Sequence, residues 1–145
     1  MRLDYSAALV LNRIRVQNAN LISSPLTWGF PAPSAFTGFV HNLERELGGR
    51  GLQFPGVGIV CHDVEPQTSG RAFTQALCLT RNPLHHTGRS PAIVEEGRAH
   101  LSVSLVLPVA GEDAPVTETQ AKSLASEVAS LALSRRLAGG SIWPA

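Results

Sequence analysis

The sequence is short of several things, and each shortage excludes a class of protein. Two cysteines, Cys61 and Cys78, in 145 residues are too few for a disulfide framework or a four-thiolate zinc site. The longest apolar stretches, near residues 7–11 and 103–110, fall well short of the ~18 residues a membrane span needs. No basic segment leads into an apolar run and a small-residue cleavage site. A reducing cytoplasm is therefore the expected compartment, with no membrane, metal or cofactor. Charged residues make up 16% of the chain, against a usual ~25%. With 43% apolar residues, that balance excludes a disordered tail and a coiled coil. Lysine is nearly missing: of twelve cations only Lys122 is not arginine. Net charge is +1, so no global field draws in nucleic acid. The guanidinium, however, is a planar fork that matches phosphate and stacks on bases. Arginine-favouring codon usage produces the same skew.

What is present divides into elements. AALVLNRIRV (7–16) alternates as a strand, with Ala8, Val10, Ile14 and Val16 on one face. Leu9, Leu11, Arg13 and Arg15 share the other face, so the two cations point the same way. They are either a solvated strand end or a phosphate-binding pair. QNANLISSPLTWGFPAP (17–33) reads as one long irregular loop, of a length that is usually functional in a compact domain. Ser34 then reads as an N-cap, and Phe36, Phe39, Val40, Leu43 and Leu47 follow at helical spacing up to Gly48–Gly49. FPGVGIVCHD (54–63) predicts a second strand. AFTQALCLT (72–80), in which Phe73, Gln75, Leu77 and Leu79 alternate, predicts a third.

Residues 81–98 read as a second loop. AHLSVSLVL (99–107) is the cleanest strand, with Ala99, Leu101, Val103, Leu105 and Leu107 inward and His100, Ser102 and Ser104 outward. Pro108 and GEDAP (111–115) are expected to break it. Thr117 and Gln120 make a capping box. The helix they open is expected to bury Ala121, Leu124, Ala125, Val128, Leu131 and Ala132, to carry Arg135 and Arg136 at its negative end, and to stop at Gly139 in a left-handed cap. Ser141-Ile142-Trp143 begins a last extended segment.

This order predicts an α+β fold: a ferredoxin-like, RRM-like antiparallel sheet with two helices and one extra strand, as a single incomplete domain over 1–145. In that topology the final strand lies beside the first. Here it is a stub, so the first strand keeps an exposed edge, open to self-association or to a partner.

Catalytic motifs are sparse. Gly56-Val57-Gly58 lacks a third glycine, and there is no P-loop. Cys61 and His62 are neighbours on a strand and point to opposite faces, which makes Cys61 a core thiol. His85-His86 has no carboxylate cluster beside it. His100, on an outer strand face, is the best general-base candidate, and the protein is expected not to be an enzyme. What remains is recognition chemistry: Asn18, Asn20, Ser23, Trp28 and Phe30 in the first loop, Arg81 and Asn82 in the second, and Arg98 after Glu95-Glu96-Gly97. Arginine forks, amides and aromatics are what single-stranded RNA engages. Trp28 and Phe30 read equally as buried anchors of their loop.

IRVQNANLISSPLTWGFPAPSAFTGFVHNLER (14–45), GVGIVCH (56–62), LTRNPL (79–84), AIVEEGRAHLSVSL (92–105) and RLAGGSI (136–142) together resemble the second subunit of the Csy surveillance complex of CRISPR subtype I-F, of the Cas-five class. The blocks are long, in order and cover most of the chain. The resemblance implies a RAMP-superfamily fold without nuclease activity, which grips the five-prime handle of the CRISPR RNA. It also implies two protein partners, the large subunit and the first backbone subunit. On that footing Arg13 and Arg15 are expected on phosphate, and Asn18, Asn20, Ser23, Trp28 and Phe30 on the handle or a partner. Arg81, Asn82 and Arg98 are expected to add phosphate or base contacts.

The family's members run further than this chain, which reads as their N-terminal half. Two alternatives follow. One is a naturally truncated viral mimic, an anti-CRISPR decoy that binds a Csy component and blocks assembly or DNA targeting. The other is an endoribonuclease of the wider superfamily with His100 as its base.

Overall fold

A computed structural model describes residue 5 and residues 7–48, 51–71 and 74–143. The elements, in chain order, are β1 (Ala7–Asn20), β2 (Ile22–Ser24), β3 (Thr27–Trp28), α1 (Pro33–Glu46), β4 (Leu52–Gln53), β5 (Gly58–Pro66), β6 (Thr68–Arg71), β7 (Thr74–Leu77), β8 (Leu79–Arg81), β9 (Ile93–Glu95), β10 (Arg98–Gly111), α2 (Glu118–Leu133), β11 (Arg136–Leu137) and β12 (Gly140–Trp143). The fold is α+β. Its main sheet is antiparallel, in the order β11–β12–β1–β10, with β5 and β4 both on the far edge of β10.

Both helices lie against one face of this sheet. Phe36, Phe39, Val40 and Leu43 of α1 and Leu124, Val128 and Ala132 of α2 join the inward side chains of β1 and β10 in one core. The spacing i, i+3, i+4, i+7 on α1 makes such a stripe, and a fully buried side chain such as Phe36 contributes about 1.5–3 kcal/mol. An ion pair from Arg135 to Glu46, 2.8 Å, joins the ends of the two helices. The capping box forms as expected, with the Gln120 N–H donating to Thr117 Oγ1 and Gln120 Oε1 accepting from the Thr117 N–H.

β10 alternates as expected, with Ala99, Leu101, Val103, Leu105 and Leu107 buried. Pro108 does not end it. On that edge β5 pairing stops at Val106 and β4 pairing begins at Ala110, so the missing donor falls where no ladder bond is needed. β1 departs from simple alternation. Register shifts lie between Leu11 and Ile14 and between Val16 and Ala19, with Arg13 (φ 47°) and Asn18 (φ 57°) in the left-handed region. Each shift is a bulge that returns the next apolar residue to the core. The buried set is thus Leu9, Leu11, Ile14, Val16 and Ala19, while Val10 is exposed, which corrects the two-face division.

Other corrections share a theme of local chemistry. The expected loop 17–33 is largely ordered as the end of β1 and the β2–β3 hairpin. The Asn20 side chain closes it by accepting from the Ile22 N–H and donating to the Ile22 carbonyl. Ala32, not Ser34, is the N-cap of α1, because Pro33 takes the first helical position, where its missing N–H costs nothing. The expected strand 72–80 does not enter the main sheet. β7 pairs with β6 and β8 with β9, forming an arm of short ribbons beyond its end.

Ala121 and Ala125 stay exposed; they line a depression beside Ala7–Val10 of β1, where β12 pairing does not reach. Gly139 (φ 77°) is a turn residue of the β11–β12 hairpin rather than a helix cap. A Cβ on Gly140 would sit 2.5 Å from the Gln17 carbonyl oxygen, so only glycine lets β12 approach β1 there. Cys61 is exposed, since β5 is an edge strand whose residues are mostly uncovered. Gly49 and Phe73 lie outside the described residues. β12 pairs with β1 only from Arg15 to Gln17, so among the described residues Ala7–Asn12 has no strand partner on that side.

Candidate nucleic-acid interface

Opposite the helices, the outer face of the main sheet carries a groove of about 560 Å³ lined by Arg13, Arg15, Gln17, His62, Asp63, Glu65, His100, Ser102 and Trp143, with backbone of Val16 and Leu101 in its floor. Its central row follows from register. Trp143 is the cross-strand partner of Arg15, Arg15 of Ser102, and Ser102 of Asp63. Directly paired residues of antiparallel strands project on the same side, so four strands present tryptophan, arginine, serine and aspartate in line. Trp143 is 51% exposed.

The first bulge of β1 places Arg13. Its N–H donates to Ser104 Oγ at 2.9 Å. Ser104 Oγ in turn donates to Asn12 Oδ1 at 3.1 Å and lies 2.8 Å from His62 Nε2. A hydroxyl has one hydrogen. With that hydrogen directed to Asn12, His62 contributes an Nε2–H. Ser104 is 5% exposed although it faces outward, because the bulge folds over it. The pair has the separation of a nucleophile and its base, but the histidine donates, and no group among the described residues orients its other nitrogen.

Arg13 and Arg15 have no carboxylate partner among the described residues. The second bulge places Asn18, whose Oδ1 accepts from Gln67 Nε2. Gln67 Nε2 is also 3.3 Å from His100 Nε2, while His100 Nδ1 is buried without a partner.

The remaining candidates lie elsewhere. Asn20 and Ser23 are committed to the β2–β3 hairpin, Ser23 Oγ donating to the Thr27 carbonyl. Arg98 is held in an ion pair with Glu96 at 2.6 Å and donates to the Asn18 carbonyl. Its residue lines a second depression with Asn20, Ile22 and Gly139. Trp28, 60% exposed, stands on the hairpin. Phe30 is half-buried, its ring stacked on Phe36 with centroids 5.6 Å apart, which is the anchor reading. Arg81 and Asn82 are exposed on the arm. The structure therefore brings Arg13 and Arg15 to one groove, links Asn18 to the groove residue His100 only through Gln67, and disperses the others. It adds Asp63 and Trp143, which sequence reasoning passed over, and His62, which it weighed only as a partner for Cys61. The signal for Trp143 was its place in a strand beside β1; nothing local marked Asp63.

No group of three or more histidine, cysteine, aspartate or glutamate side chains is arranged to hold a metal among the described residues. No helix is long and apolar enough to cross a membrane.

Residues 9–145 match the family model described as CRISPR-associated protein (Cas_Csy2). A CRISPR-associated protein Csy2 from Pseudomonas aeruginosa (strain UCBPP-PA14) is 54% identical over 144 residues, which cover 97% of this chain and 43% of that protein. The class is thus that of the CRISPR-associated proteins. Within it, the chain belongs to the Csy2 family. The chain spans less than half the length of that relative.

Proposed function

We propose that the chain is a non-enzymatic, RNA-binding subunit of a cytoplasmic subtype I-F (Csy) surveillance complex, built as a ferredoxin-like domain of the RAMP superfamily. One observation carries this reading: two arginines without carboxylate partners among the described residues stand beside an exposed tryptophan on a sheet face that neither helix covers, in a chain of the Csy2 family. The order β12–β1–β10–β5, with a helix after β1 and another after β10, supports the ferredoxin-like assignment, since it is the arrangement a split βαβ pair gives. The RNA in this reading is the five-prime handle of the CRISPR RNA.

The protein partners, a large subunit and a backbone subunit, would meet the apolar projections outside the groove. Leu26 and Trp28 on the β2–β3 hairpin and Leu79, Leu84 and Ile93 on the arm are all exposed, and apolar side chains gathered on projections suit a protein contact.

The test is a binding assay between the chain and a labelled repeat-derived RNA carrying the handle. A complex that is lost when Arg13 and Arg15 are both replaced by alanine, with the RNA left at full length, is the expected result. Cleavage of that RNA, lost on His100→Ala, would overturn the non-enzymatic reading.

A second reading is favoured by the uncovered Ala7–Asn12 edge of β1, a docking surface with no RNA chemistry. In it the chain is a decoy that occupies one Csy component. Adding the chain during assembly of the complex and measuring target-DNA binding separates the two: a working subunit supports it and a decoy abolishes it.

A further inference from the structure

The groove on the outer sheet face is polarised. Arg13 and Arg15 form one wall, and Asp63 and Glu65 on β5 form the other, with Ser102 and His100 between them. Neither carboxylate has an ion-pair partner among the described residues. A site that only tracked a phosphate backbone would gain nothing from carboxylates, which repel it. Cations on one wall and carboxylates on the other suit a ligand that is anionic at one end and rich in N–H donors at the other.

Resting on the RNA-binding reading above, we infer that this groove selects guanine in a single-stranded RNA. Asp63 and Arg15 are separated by two interstrand spacings, roughly 9.6 Å, a span comparable with that from the base edge of a nucleotide to its phosphate. With the phosphate on the arginines, the base lies over Ser102, whose small side chain leaves room for a flat ring. Its Watson–Crick edge then meets the Asp63 carboxylate. Guanine offers two adjacent donors there, N1–H and the N2 amino group, which a carboxylate accepts with both oxygens. Adenine and cytosine each place a ring-nitrogen acceptor beside their amino group, and uracil flanks its single N–H with carbonyls. All three repel one carboxylate oxygen. Trp143, one strand beyond Arg15, is placed to stack the neighbouring base, a contact indifferent to sequence.

The experiment measures fluorescence anisotropy of labelled oligouridylates nine nucleotides long, with the central base G, A, C or U, against the 145-residue chain. The expected result is about tenfold tighter binding of the G-centred RNA, the scale of one bidentate base contact at a partly exposed site. Asp63→Asn, isosteric and exposed, is expected to abolish the G preference and move it toward A and C, whose adjacent amino and ring nitrogens both match an amide. Its thermal midpoint should stay unchanged. Trp143→Ala is expected to weaken all four RNAs alike.

Binding of all four RNAs with equal affinity, or a G preference that survives Asp63→Asn, overturns the guanine inference while RNA binding stands. Failure of every RNA to bind, or binding indifferent to the Arg13→Ala/Arg15→Ala pair, overturns the RNA reading and the inference with it.

Discussion

β1 and β10 are both 14 residues long and are paired along most of their length, yet one builds the wall of the domain and the other its candidate site. β10 buries every second residue over Ala99–Val109, and the one further buried residue, the outward-facing Ser104, is covered where the first bulge of β1 bonds to it. β1 breaks alternation twice, at Arg13 and Asn18, each with a positive φ. A regular strand has two faces and can only divide its side chains between them. A bulge adds a residue that belongs to neither face and re-aims it. The bulges are what bring Arg13 beside Arg15 over the outer face while Ile14 and Val16 still reach the core.

The comparison can be broken or sharpened by substitution. The largest effect is expected inside β10. Leu105→Ala removes a fully buried side chain and should cost about 2–5 kcal/mol in denaturant unfolding; a loss under ~1 kcal/mol would mean β10 is not the wall described. Next is Ser104→Ala. The Arg13 N–H loses its acceptor in a buried spot, so about 1–3 kcal/mol of stability should go, and RNA affinity should fall with it as the bulge relaxes. An unfolding midpoint that does not move would mean that the hydroxyl does not hold the bulge.

Arg13→Gly should dissociate stability from binding. Glycine takes a φ of 47° without strain, so unfolding free energy should change by no more than ~1 kcal/mol while RNA affinity drops. Equal losses in both would show that the arginine is there for the fold. The smallest effect is expected at Val10, 54% exposed on the regular part of β1, where alanine should stay within ~0.5 kcal/mol of the parent.

The same contrast explains what could be read in advance. β10, α1 and α2 were legible because their patterns repeat: period two in one strand, i, i+3, i+4 in the helices, a capping box at Thr117. The pairing of the last strand with the first followed from element order. β1 was divided wrongly past Leu11, because a bulge leaves no local mark when the positive φ falls on an arginine rather than a glycine. Residues 17–33 looked irregular because Asn20 closes a hairpin through its own side chain, a turn signal that proline and tryptophan obscured. The arm was mistaken for a sheet strand because ribbon and sheet strands alternate alike, and only pairing partners tell them apart. Within the groove, Arg13 and Arg15 are the lining residues that residue type alone singles out. Asp63 and Trp143 reach the groove through cross-strand register, which no segment of sequence contains by itself.

The most direct measurement is the salt dependence of RNA affinity, for the parent chain and for the Arg13→Ala/Arg15→Ala variant. The slope of log affinity against log salt should become shallower by about 0.7 for each arginine lost from a phosphate contact with a single strand. Identical slopes for the two proteins would contradict the assignment of the outer sheet face as the surface that holds RNA.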